Sequence, residues 1–433
     1  MKESKAILVL ANGQVFEGKG FGAEGVTFGE VVFTTGMNGY LETLTDPSFY
    51  GQIVTQTFPL IGNYGKISKD YESGKCNLKG YIVRSWCEVP SNFRSEGDID
   101  SYLKEQNIVG LCGIDTRRLT KILRESGVMN GIIASGETKE AIEIFNSLND
   151  KKTKAALLEK IREYKITDAV NAVTGSASSV EEDAETVFKE SAEYRFVPVK
   201  SDGTKVYDKE AAMKNGRGKK AVLWDFGAKA NIRRELLKRG LEVITVPSDS
   251  TAEKILLLNP DGIMLSNGPG DPAENVLIIE EIKKLVSSGI PIFGICLGHQ
   301  LLALANGAQT EKLKYGHRGA NQPVKYLKNG RVYISSQNHG YAVKNETLPK
   351  GAELSFVNTN DGTCEGIVYT NFPGFSVQFH PEACSGPLDT SFLFDEFVQL
   401  INDRNYFSSF KTEYTRIDAI DYFARQIQKK AQA

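Results

Sequence analysis

The sequence predicts an α/β protein with a C-terminal domain built on a largely parallel sheet, preceded by a mixed β/α N-terminal domain. Two patterns support this prediction. From Ala221 onwards, short apolar runs alternate with helical stretches that close at glycine, which is typical of a parallel sheet with crossover helices. Before residue 150, β-branched and aromatic runs are separated by glycine turns, which places β structure at the front of the first domain.

In the N-terminal part, three runs predict strands, over residues 6–10, 31–35 and 52–57. Asn12 and Gly13 both tolerate positive φ, so they predict a hairpin turn after the first of these strands. Asp115 predicts the N-cap of a helix. The apolar face of that helix consists of Leu119, Ile122 and Leu123.

In the C-terminal part, the alternation predicts strands over residues 221–226, 241–246, 262–265 and 291–295. It predicts helices over residues 229–239, 252–258, 274–288 and 297–305. In open parallel sheets, ligands bind beyond the carboxyl ends of the strands. The loop that begins at Ser266 and the residue Cys296 both follow a strand, so we expect both at that edge.

At 433 residues, the chain is too long for a single ordinary domain. We expect four segments, which are an N-terminal domain (1–150), a connecting region (151–217), the α/β domain (218–401) and a C-terminal tail (402–433). The connecting region is polar and starts with a charged helical stretch. Four apolar residues predict that the tail docks as a helix: Ile417, Ile420, Phe423 and Ile427.

Composition and charge exclude several classes of function. With 52 Lys and Arg against 54 Asp and Glu, the net charge of -2 gives no sign of a nucleic-acid or acidic-membrane partner. No apolar run approaches the ~18 residues of a membrane span, and the first residues lack the apolar core of a signal peptide. Six Cys without close pairing do not form a disulfide framework. We therefore expect a reduced, cytoplasmic protein.

Cys296 is the candidate nucleophile. It lies between the strand that ends at Ile295 and the helix that starts at Leu297, with Gly294 and Gly298 two residues to either side. This is the pattern of a nucleophile elbow, with Cys in place of Ser. The N-terminus of the helix favours the negative charge of a thiolate. The alternative is a buried Cys that only packs between strand and helix, and the elbow pattern alone does not decide between them.

A cysteine nucleophile needs a base, and the chain has four histidines. His380 is the strongest candidate, because Pro381 stiffens the step to Glu382, whose carboxylate can orient the imidazole. We expect other places for the remaining three histidines. His299 should be a structural residue of the elbow helix, and His317 should lie in an exposed Lys/Gly-rich loop. His339 should follow the strand over 332–336 and border the pocket.

The negative charge that develops during acyl transfer needs hydrogen-bond donors, which form an oxyanion hole. The backbone N–H of Leu297 is the natural first donor, because the residue after an elbow nucleophile commonly donates. A second donor should come from a glycine loop that allows close approach, and the stretch from Gly268 to Gly270 fits. The alternative for this loop is an ordinary turn at the end of a strand.

Three segments together resemble the signatures of class I (triad) glutamine amidotransferases: 267–272, 294–300 and 380–382. Their order and wide separation match that family. The resemblance implies a flavodoxin-like domain that hydrolyses L-glutamine. It implies Cys296 as the nucleophile, His380 as the general base and acid, and Glu382 as the orienting carboxylate. Cys296 would attack the side-chain amide, ammonia would leave, and water would release glutamate from the thioester.

Further segments, mainly in the N-terminal domain, make the resemblance more specific than glutamine amidotransferases in general. Five further segments resemble the small subunit of carbamoyl phosphate synthetase: 29–33, 35–40, 44–50, 113–119 and 225–229. The stretches 180–217 and 402–433 are additions to the family pattern. Since Ser48 belongs to the N-terminal domain, the glutamine pocket would lie between the domains. The family implies a glutamine site made of Ser48, Gly268, Gly270, Leu297, Gln300, Asn338, Gly340 and Tyr341.

The family also implies a partner in a heterodimer, the large subunit. That subunit would receive the ammonia and make carbamoyl phosphate from ATP and bicarbonate, for arginine and pyrimidine biosynthesis. No segment resembles a P-loop or an ATP-grasp domain, so we expect no cofactor and no metal in this chain, with ATP and Mg²⁺ on the large subunit. Two alternatives are an amidotransferase subunit of another synthase, such as anthranilate synthase, and a non-catalytic regulatory subunit that retains the fold.

Overall fold

The computed structural model describes residues 4–175 and 215–410. The chain divides into two compact units, Met1–Ala169 and Val170–Ala433. The expected helix of the C-terminal tail and the greater part of the connecting region lie outside the described residues. No helix in the described part of the chain is long and apolar enough to cross a membrane.

The first unit contains nine strands and five helices among its described residues. The strands are β1 (Ser4–Leu10), β2 (Val15–Gly22), β3 (Gly25–Thr34), β4 (Gln52–Gln56), β5 (Leu60–Ile61), β6 (Gly80–Ile82), β7 (Ser85–Trp86), β8 (Val109–Cys112) and β9 (Met129–Ser135). The helices are α1 (Tyr40–Thr45), α2 (Ile99–Glu105), α3 (Thr116–Ser126), α4 (Lys139–Ser147) and α5 (Lys151–Glu163). A further short helix, α6, follows at the division between the units (Ala169–Val173).

Seven of these strands close into a barrel in the order β1-β2-β8-β6-β4-β3-β9. The strands β3, β4, β6 and β8 pair in parallel, and the other pairings of the barrel are antiparallel. Strands β5 and β7 form a separate two-stranded sheet. The mixed barrel confirms the prediction of a mixed domain with β structure at its front.

The turn after β1 and the start of α3 follow the sequence prediction. Gly13 takes a φ of +86° in the turn between the antiparallel strands β1 and β2. The carboxylate of Asp115 accepts a hydrogen bond of 2.9 Å from the backbone N–H of Arg118, which caps α3. Both features depend on local sequence alone, because a turn and a cap are completed within a few residues.

Strand β4 is more deeply buried than its alternating sequence indicates. Alternation of polar and apolar residues usually leaves one face of a strand in solvent, yet all five residues of β4 are buried. Gln56 is accommodated because its side-chain amide donates to the Gly36 carbonyl at 2.7 Å. Both faces of β4 are therefore covered, and the side-chain amides of Gln52 and Gln56 find acceptors inside the protein.

The second unit contains nine further strands and five further helices among its described residues. The strands are β10 (Lys220–Asp225), β11 (Glu242–Pro247), β12 (Gly262–Leu265), β13 (Ile292–Ile295), β14 (Thr310–Tyr326), β15 (Val332–Val343), β16 (Ala352–Asn358), β17 (Cys364–Tyr369) and β18 (Gly374–Val377). The helices are α7 (Ala230–Leu237), α8 (Ala252–Leu257), α9 (Val276–Ser287), α10 (Leu297–Ala305) and α11 (Phe392–Asn402).

The nine strands form one sheet in the order β11-β10-β12-β13-β18-β17-β16-β14-β15. Pairing is parallel from β11 to β18 and antiparallel from β18 to β15. Helices α7 and α11 pack on one face, and α8, α9 and α10 pack on the other. Helices on both faces of a parallel sheet confirm the α/β class, and the antiparallel strands extend that sheet on one side.

Three neighbouring strands end at the same edge of this sheet. Strand β13 lies between β12 and β18, and all three run in parallel. The glycine loop follows β12, Cys296 follows β13, and His380 lies three residues beyond β18. The parallel half of the sheet therefore brings together the three segments that the sequence singled out.

Candidate active site

Cys296 is the single residue between β13 and α10. Its φ of +53° and ψ of -102° are unusual for a residue with a side chain, and strain of this kind clusters at functional sites. A Cβ atom at Gly294 would lie 2.7 Å from the Gly298 carbonyl, and one at Gly298 would lie 2.3 Å from the Leu265 carbonyl. Close packing therefore requires both glycines, whereas Cys296 itself makes the sharp turn.

Backbone contacts fix Cys296 against two other strands. Its N–H donates to the Val377 carbonyl at 2.9 Å, at the end of β18. Its Sγ lies 3.7 Å from the carbonyl oxygen of Asn338 on β15. The residue is 2% exposed, so the sulfur is held in a defined place rather than at a free surface.

His380 and Glu382 form a buried pair beside this cysteine. The imidazole Nδ1 lies 2.6 Å from Glu382 Oε1, and both side chains are fully buried. The imidazole Nε2 has no hydrogen-bond partner among the described residues, and Cys296 lies within interaction distance of the ring. Burial and Lys229 lower the pKa of His380, but Glu382 and Cys296 raise it more strongly, so it lies above its ordinary value. The ring therefore binds a proton more strongly than a free imidazole does, and it is well placed to hold the proton that the Cys296 thiol gives up.

Lys229 and Asn231, which both follow β10 in the chain, hold Glu382 in place. Lys229 Nζ lies 3.6 Å from Glu382 Oε1, and the side-chain amide of Asn231 donates to the Glu382 carbonyl. Burial raises the pKa of Glu382, but His380 and Lys229 lower it more strongly. The pKa therefore lies below its ordinary value, and the carboxylate stays charged. Sequence reasoning assigned no role to Lys229 or Asn231. The available signal was their position just after a parallel strand, at the edge where Cys296 also lies.

His299 matches the expectation of a structural helix residue. Its side chain is fully buried in α10, and its Nδ1 lies 2.8 Å from the Ser376 hydroxyl. Burial lowers the pKa of His299 to about 3, so the ring is neutral. No carboxylate contacts it among the described residues, which leaves His380 as the better base.

The expectation of an exposed loop for His317 was wrong, and so was the strand end expected just before His339. His317 lies on β14 and is 7% exposed, not in an exposed loop. The pairing of β14 with β15 shifts register between Lys312 and His317, so this Lys/Gly-rich stretch is an irregular strand with the composition of a loop. His339 does not follow a strand, because β15 continues through it to Val343.

Seven of the eight residues implied for glutamine lie in the second unit. A Cβ at Gly268 would lie 2.3 Å from the Phe226 carbonyl, and Gly270 takes a φ of +91°, so this loop needs both glycines. Leu297 is the first residue of α10, so its N–H has no acceptor within the helix. Their roles toward glutamine stay a prediction from the resemblance.

Gln300 connects α10 to β15. Its side-chain amide donates to the Tyr341 carbonyl at 2.7 Å and to Gln378 Oε1 at 2.9 Å. Asn338, Gly340 and Tyr341 all lie on β15. The second unit thus brings Gln300 and this stretch of β15 together around Cys296.

Ser48 belongs to the first unit and is described there. It lies in a short 3₁₀ turn, Pro47–Phe49, and its backbone N–H donates to the Asp46 carboxylate at 2.9 Å. Its role in binding glutamine, and the expected pocket between domains, stay predictions.

Two family models match the chain. The model described as "Glutamine amidotransferase class-I" matches residues 222–400. The model described as "Carbamoyl-phosphate synthase small chain, CPSase domain" matches residues 8–133. The first match covers the glycine loop, the elbow and the His380–Glu382 pair, and the second covers most of the barrel.

Relatives match over nearly the whole chain. The carbamoyl phosphate synthase small chain of Clostridium perfringens is 48% identical over 395 residues, which are 91% of this chain and 99% of that protein. The carbamoyl phosphate synthase pyrimidine-specific small chain of Bacillus subtilis is 46% identical over 397 residues, which are 92% of this chain and 96% of that protein. Among solved structures, a glutamine amidotransferase of Thermotoga maritima is 16% identical and covers 48% of this chain and 91% of its own, with a TM-score of 0.33.

Proposed function

The chain belongs to the family of carbamoyl phosphate synthase small chains, which are the glutamine-hydrolysing subunits of that synthase, and we propose that Cys296, His380 and Glu382 carry out this hydrolysis. The observation that carries the proposal is the buried His380–Glu382 pair, at 2.6 Å, beside a cysteine in a strained elbow. Nucleophile, base and orienting group are the three parts that covalent acyl transfer requires.

In the first half-reaction, His380 takes the thiol proton of Cys296, and the sulfur attacks the side-chain amide carbon of glutamine. As the C–S bond forms, the carbonyl π electrons move to the oxygen. The N–H of Leu297 and the glycine loop stabilise this oxyanion. His380 then gives its proton to the amide nitrogen, the C–N bond breaks, ammonia leaves, and a thioester remains on Cys296.

In the second half-reaction, water replaces the sulfur. His380 takes a proton from water as the water oxygen adds to the thioester carbon. The C–S bond then breaks, glutamate leaves, and the proton returns to Cys296. Throughout, Glu382 keeps the Nδ1 side of the imidazole occupied, so that the opposite nitrogen exchanges protons with the sulfur, the amide nitrogen and water.

We place the use of ammonia on a large synthase subunit. The description "small chain" of the matching family and relatives supports this placement. ATP and Mg²⁺ then bind to the large subunit, since no segment of this chain resembles a P-loop or an ATP-grasp domain. A cytoplasmic location is consistent with the spacing of the six cysteines, which does not resemble a disulfide framework.

The catalytic pair and the barrel argue against the two alternatives, which are a non-catalytic regulatory subunit and an amidotransferase subunit of another synthase. A non-catalytic subunit has no use for a strained cysteine with a paired base, so the geometry favours an enzyme. An amidotransferase for another synthase would not need the N-terminal domain, which matches the carbamoyl phosphate synthase model.

The test uses Cys296→Ala assembled with a large subunit. Without the sulfur no thioester forms, so we expect no carbamoyl phosphate from glutamine. Synthesis from ammonium should continue, because ammonium bypasses this site. Cys112→Ala is the matched control, since it removes a buried thiol from the first unit, and it should keep both activities.

Substantial glutamine-dependent synthesis by a verified Cys296→Ala complex would overturn the covalent mechanism. Loss with both nitrogen donors, in a complex of the correct size, would assign Cys296 a structural role instead.

A further inference from the structure

A second buried polar cluster lies beside the candidate active site and takes no part in the chemistry above. We call it the His317 cluster. His317 and His339 are direct partners in the β14–β15 pairing, and their rings lie 5.0 Å apart, edge to face. Its buried members are His317 on β14, Gln337 and His339 on β15, and Glu365 on β17. Asp361, in the turn before β17, joins the cluster from the surface, because its side chain is 45% exposed.

His317 is held between two carboxylates. Its Nε2 lies 2.8 Å from Asp361 Oδ2, and its Nδ1 lies 3.4 Å from Glu365 Oε1. Burial lowers the pKa of His317, but the two carboxylates raise it more strongly, to about 10. The ring is therefore a cation at neutral pH. It balances Glu365, whose side chain is fully buried.

A chain of close polar contacts leads from Glu365 to the glutamine site. Glu365 Oε2 accepts from the Gln337 side-chain amide at 2.9 Å. The other end of that amide lies 2.9 Å from His339 Nε2. His339 Nδ1 donates to the Tyr341 carbonyl at 2.7 Å, and the same carbonyl accepts from Gln300. The cluster thus ends at the group that holds Gln300.

The hairpin of β14 and β15 needs an anchor at this place. Strand β14 pairs with β15 from Thr310 to Lys325, but with β16 only over residues 324–326. Within the described pairings, the half of the hairpin that carries His317 and Tyr341 has no third strand beside it. Side chains therefore hold this half in place, and the ion pairs of His317 reach β17 and the turn before it.

We propose that His317 is a positioning residue for the binding of glutamine. Its ion pairs with Asp361 and Glu365 anchor the overhanging half of the β14–β15 hairpin. As a result, the Tyr341 carbonyl stays in contact with Gln300. The proposal rests on the proposed function, which assigns Gln300 and Tyr341 to glutamine.

A metal ion is the competing occupant of this cluster. His317, His339 and Glu365 each offer one ligand atom, and these atoms lie within 4.8 Å of one another. The contacts favour protons over a metal, because two carboxylates already share the positive charge of His317. A metal would have to displace the proton that those carboxylates hold.

The test is a double-substitution cycle in the full chain assembled with a large subunit. His317→Gln leaves Glu365 buried without its cation, and we expect it to raise KM for glutamine about tenfold, with a smaller effect on kcat. Glu365→Gln leaves His317 paired with Asp361, so KM should rise less. The double variant loses no ion pair that His317→Gln has not already lost, so its KM should stay close to that of His317→Gln rather than combine the two effects.

Two controls accompany the cycle. Lys314→Ala changes an exposed lysine on the same strand and should leave KM unchanged. Ammonium-dependent synthesis should stay at the wild-type rate in every variant, which verifies folding and assembly. An unchanged KM in His317→Gln, or additive effects in the double variant, would overturn the positioning role. A wild-type complex that cannot use glutamine would overturn the proposed function instead.

A second measurement does not depend on any variant folding. The chain has four histidines, so nitrogen NMR of histidine-labelled wild-type protein can resolve each ring. We expect His317 to carry protons on both nitrogens at neutral pH. A neutral His317, or one equivalent of metal in the purified protein, would overturn the proposal.

Discussion

At the scale of single residues, charge partners decide what each buried histidine can do. His299 and His380 are both fully buried, and burial alone favours a neutral ring. His299 contacts a hydroxyl, and its pKa falls to about 3. His380 lies 2.6 Å from the Glu382 carboxylate, and its pKa rises despite burial. The difference in partner therefore makes His380, rather than His299, able to accept a proton from Cys296.

This difference predicts a ranking of substitutions. A general base typically contributes ~10²–10⁴-fold to the rate, so His380→Ala should lower kcat for glutamine hydrolysis by about that factor. Glu382→Gln should lower it less, because the amide still contacts the imidazole. His299→Ala should have the smallest effect. The measurement is the glutaminase rate of each folded variant. The opposite order of the first two would mean that their roles are exchanged, and a larger loss in His299→Ala would identify His299 as the base.

At the scale of elements, close packing at the ends of strands shapes the elbow. Helix α10 approaches β12 so closely that Gly298 has no room for a side chain. The same approach places the start of α10, with the N–H of Leu297, next to the glycine loop after β12. The proposed oxyanion site would therefore depend on how tightly this helix packs on the sheet.

Gly298→Ala should disturb this packing. The added Cβ would lie 2.3 Å from the Leu265 carbonyl, which is backbone and cannot rotate away. Overpacking typically costs ~1–3 kcal/mol, so we expect a lower melting temperature together with a lower glutaminase rate. Gly36→Ala is the control, because its nearest neighbour would be 3.4 Å away, which is ordinary contact. Equal behaviour of the two variants would mean that α10 can move away without consequence.

Helix α11 carries a buried carboxylate that makes stability depend on pH. Glu396 is 5% exposed, and burial raises its pKa to about 7, with Lys328 opposing the rise. The folded-state pKa lies above the unfolded value of ~4.3. The folded protein therefore binds the extra proton between these values, and stability falls as pH rises through that window.

Glu396→Gln should remove this dependence. Relative to wild type, the variant should gain up to about 3 kcal/mol at pH 8, and the gain should nearly vanish below the unfolded pKa. Melting temperatures at pH 4 and pH 8 measure the difference. Glu353→Gln, at an exposed position on β16, should show no such change with pH. An equal shift of Glu396→Gln at both pH values would show that Glu396 does not titrate in this window.

At the scale of the whole molecule, the two units have separate cores and separate family matches. The barrel unit matches the carbamoyl phosphate synthase small-chain model, and the sheet unit matches the amidotransferase model. The sheet unit contains the complete candidate catalytic set, and under the proposed function it supplies ammonia to a large subunit. Hydrolysis without that subunit would waste glutamine.

We therefore expect slow glutamine hydrolysis by the isolated chain. Binding of a large subunit, with ATP and bicarbonate present, should accelerate it; a coupling free energy of ~1–3 kcal/mol, as is typical between binding sites, would correspond to about 5–150-fold. The measurement is glutamate release with and without the partner and its substrates. A full rate in the isolated chain, unchanged by the partner, would contradict the coupling.

The sequence alone determined the features that depend on neighbouring residues. The alternation of strands and helices, the Gly13 turn and the Asp115 cap are complete within short stretches, so local spacing predicts them. The three motifs at the ends of β12, β13 and β18 were also predictable, because parallel strands end at one edge.

Only the tertiary structure decided which distant residues meet. Asn231 and Lys229 contact Glu382 across about 150 positions of chain. His317 lies opposite His339 because of an irregular strand register. Local periodicity does not encode such contacts, since they depend on how curved sheets and packed helices bring separate elements together. For the same reason, the sequence identified the candidate nucleophile and base, but not the ion pairs that hold their surroundings in place.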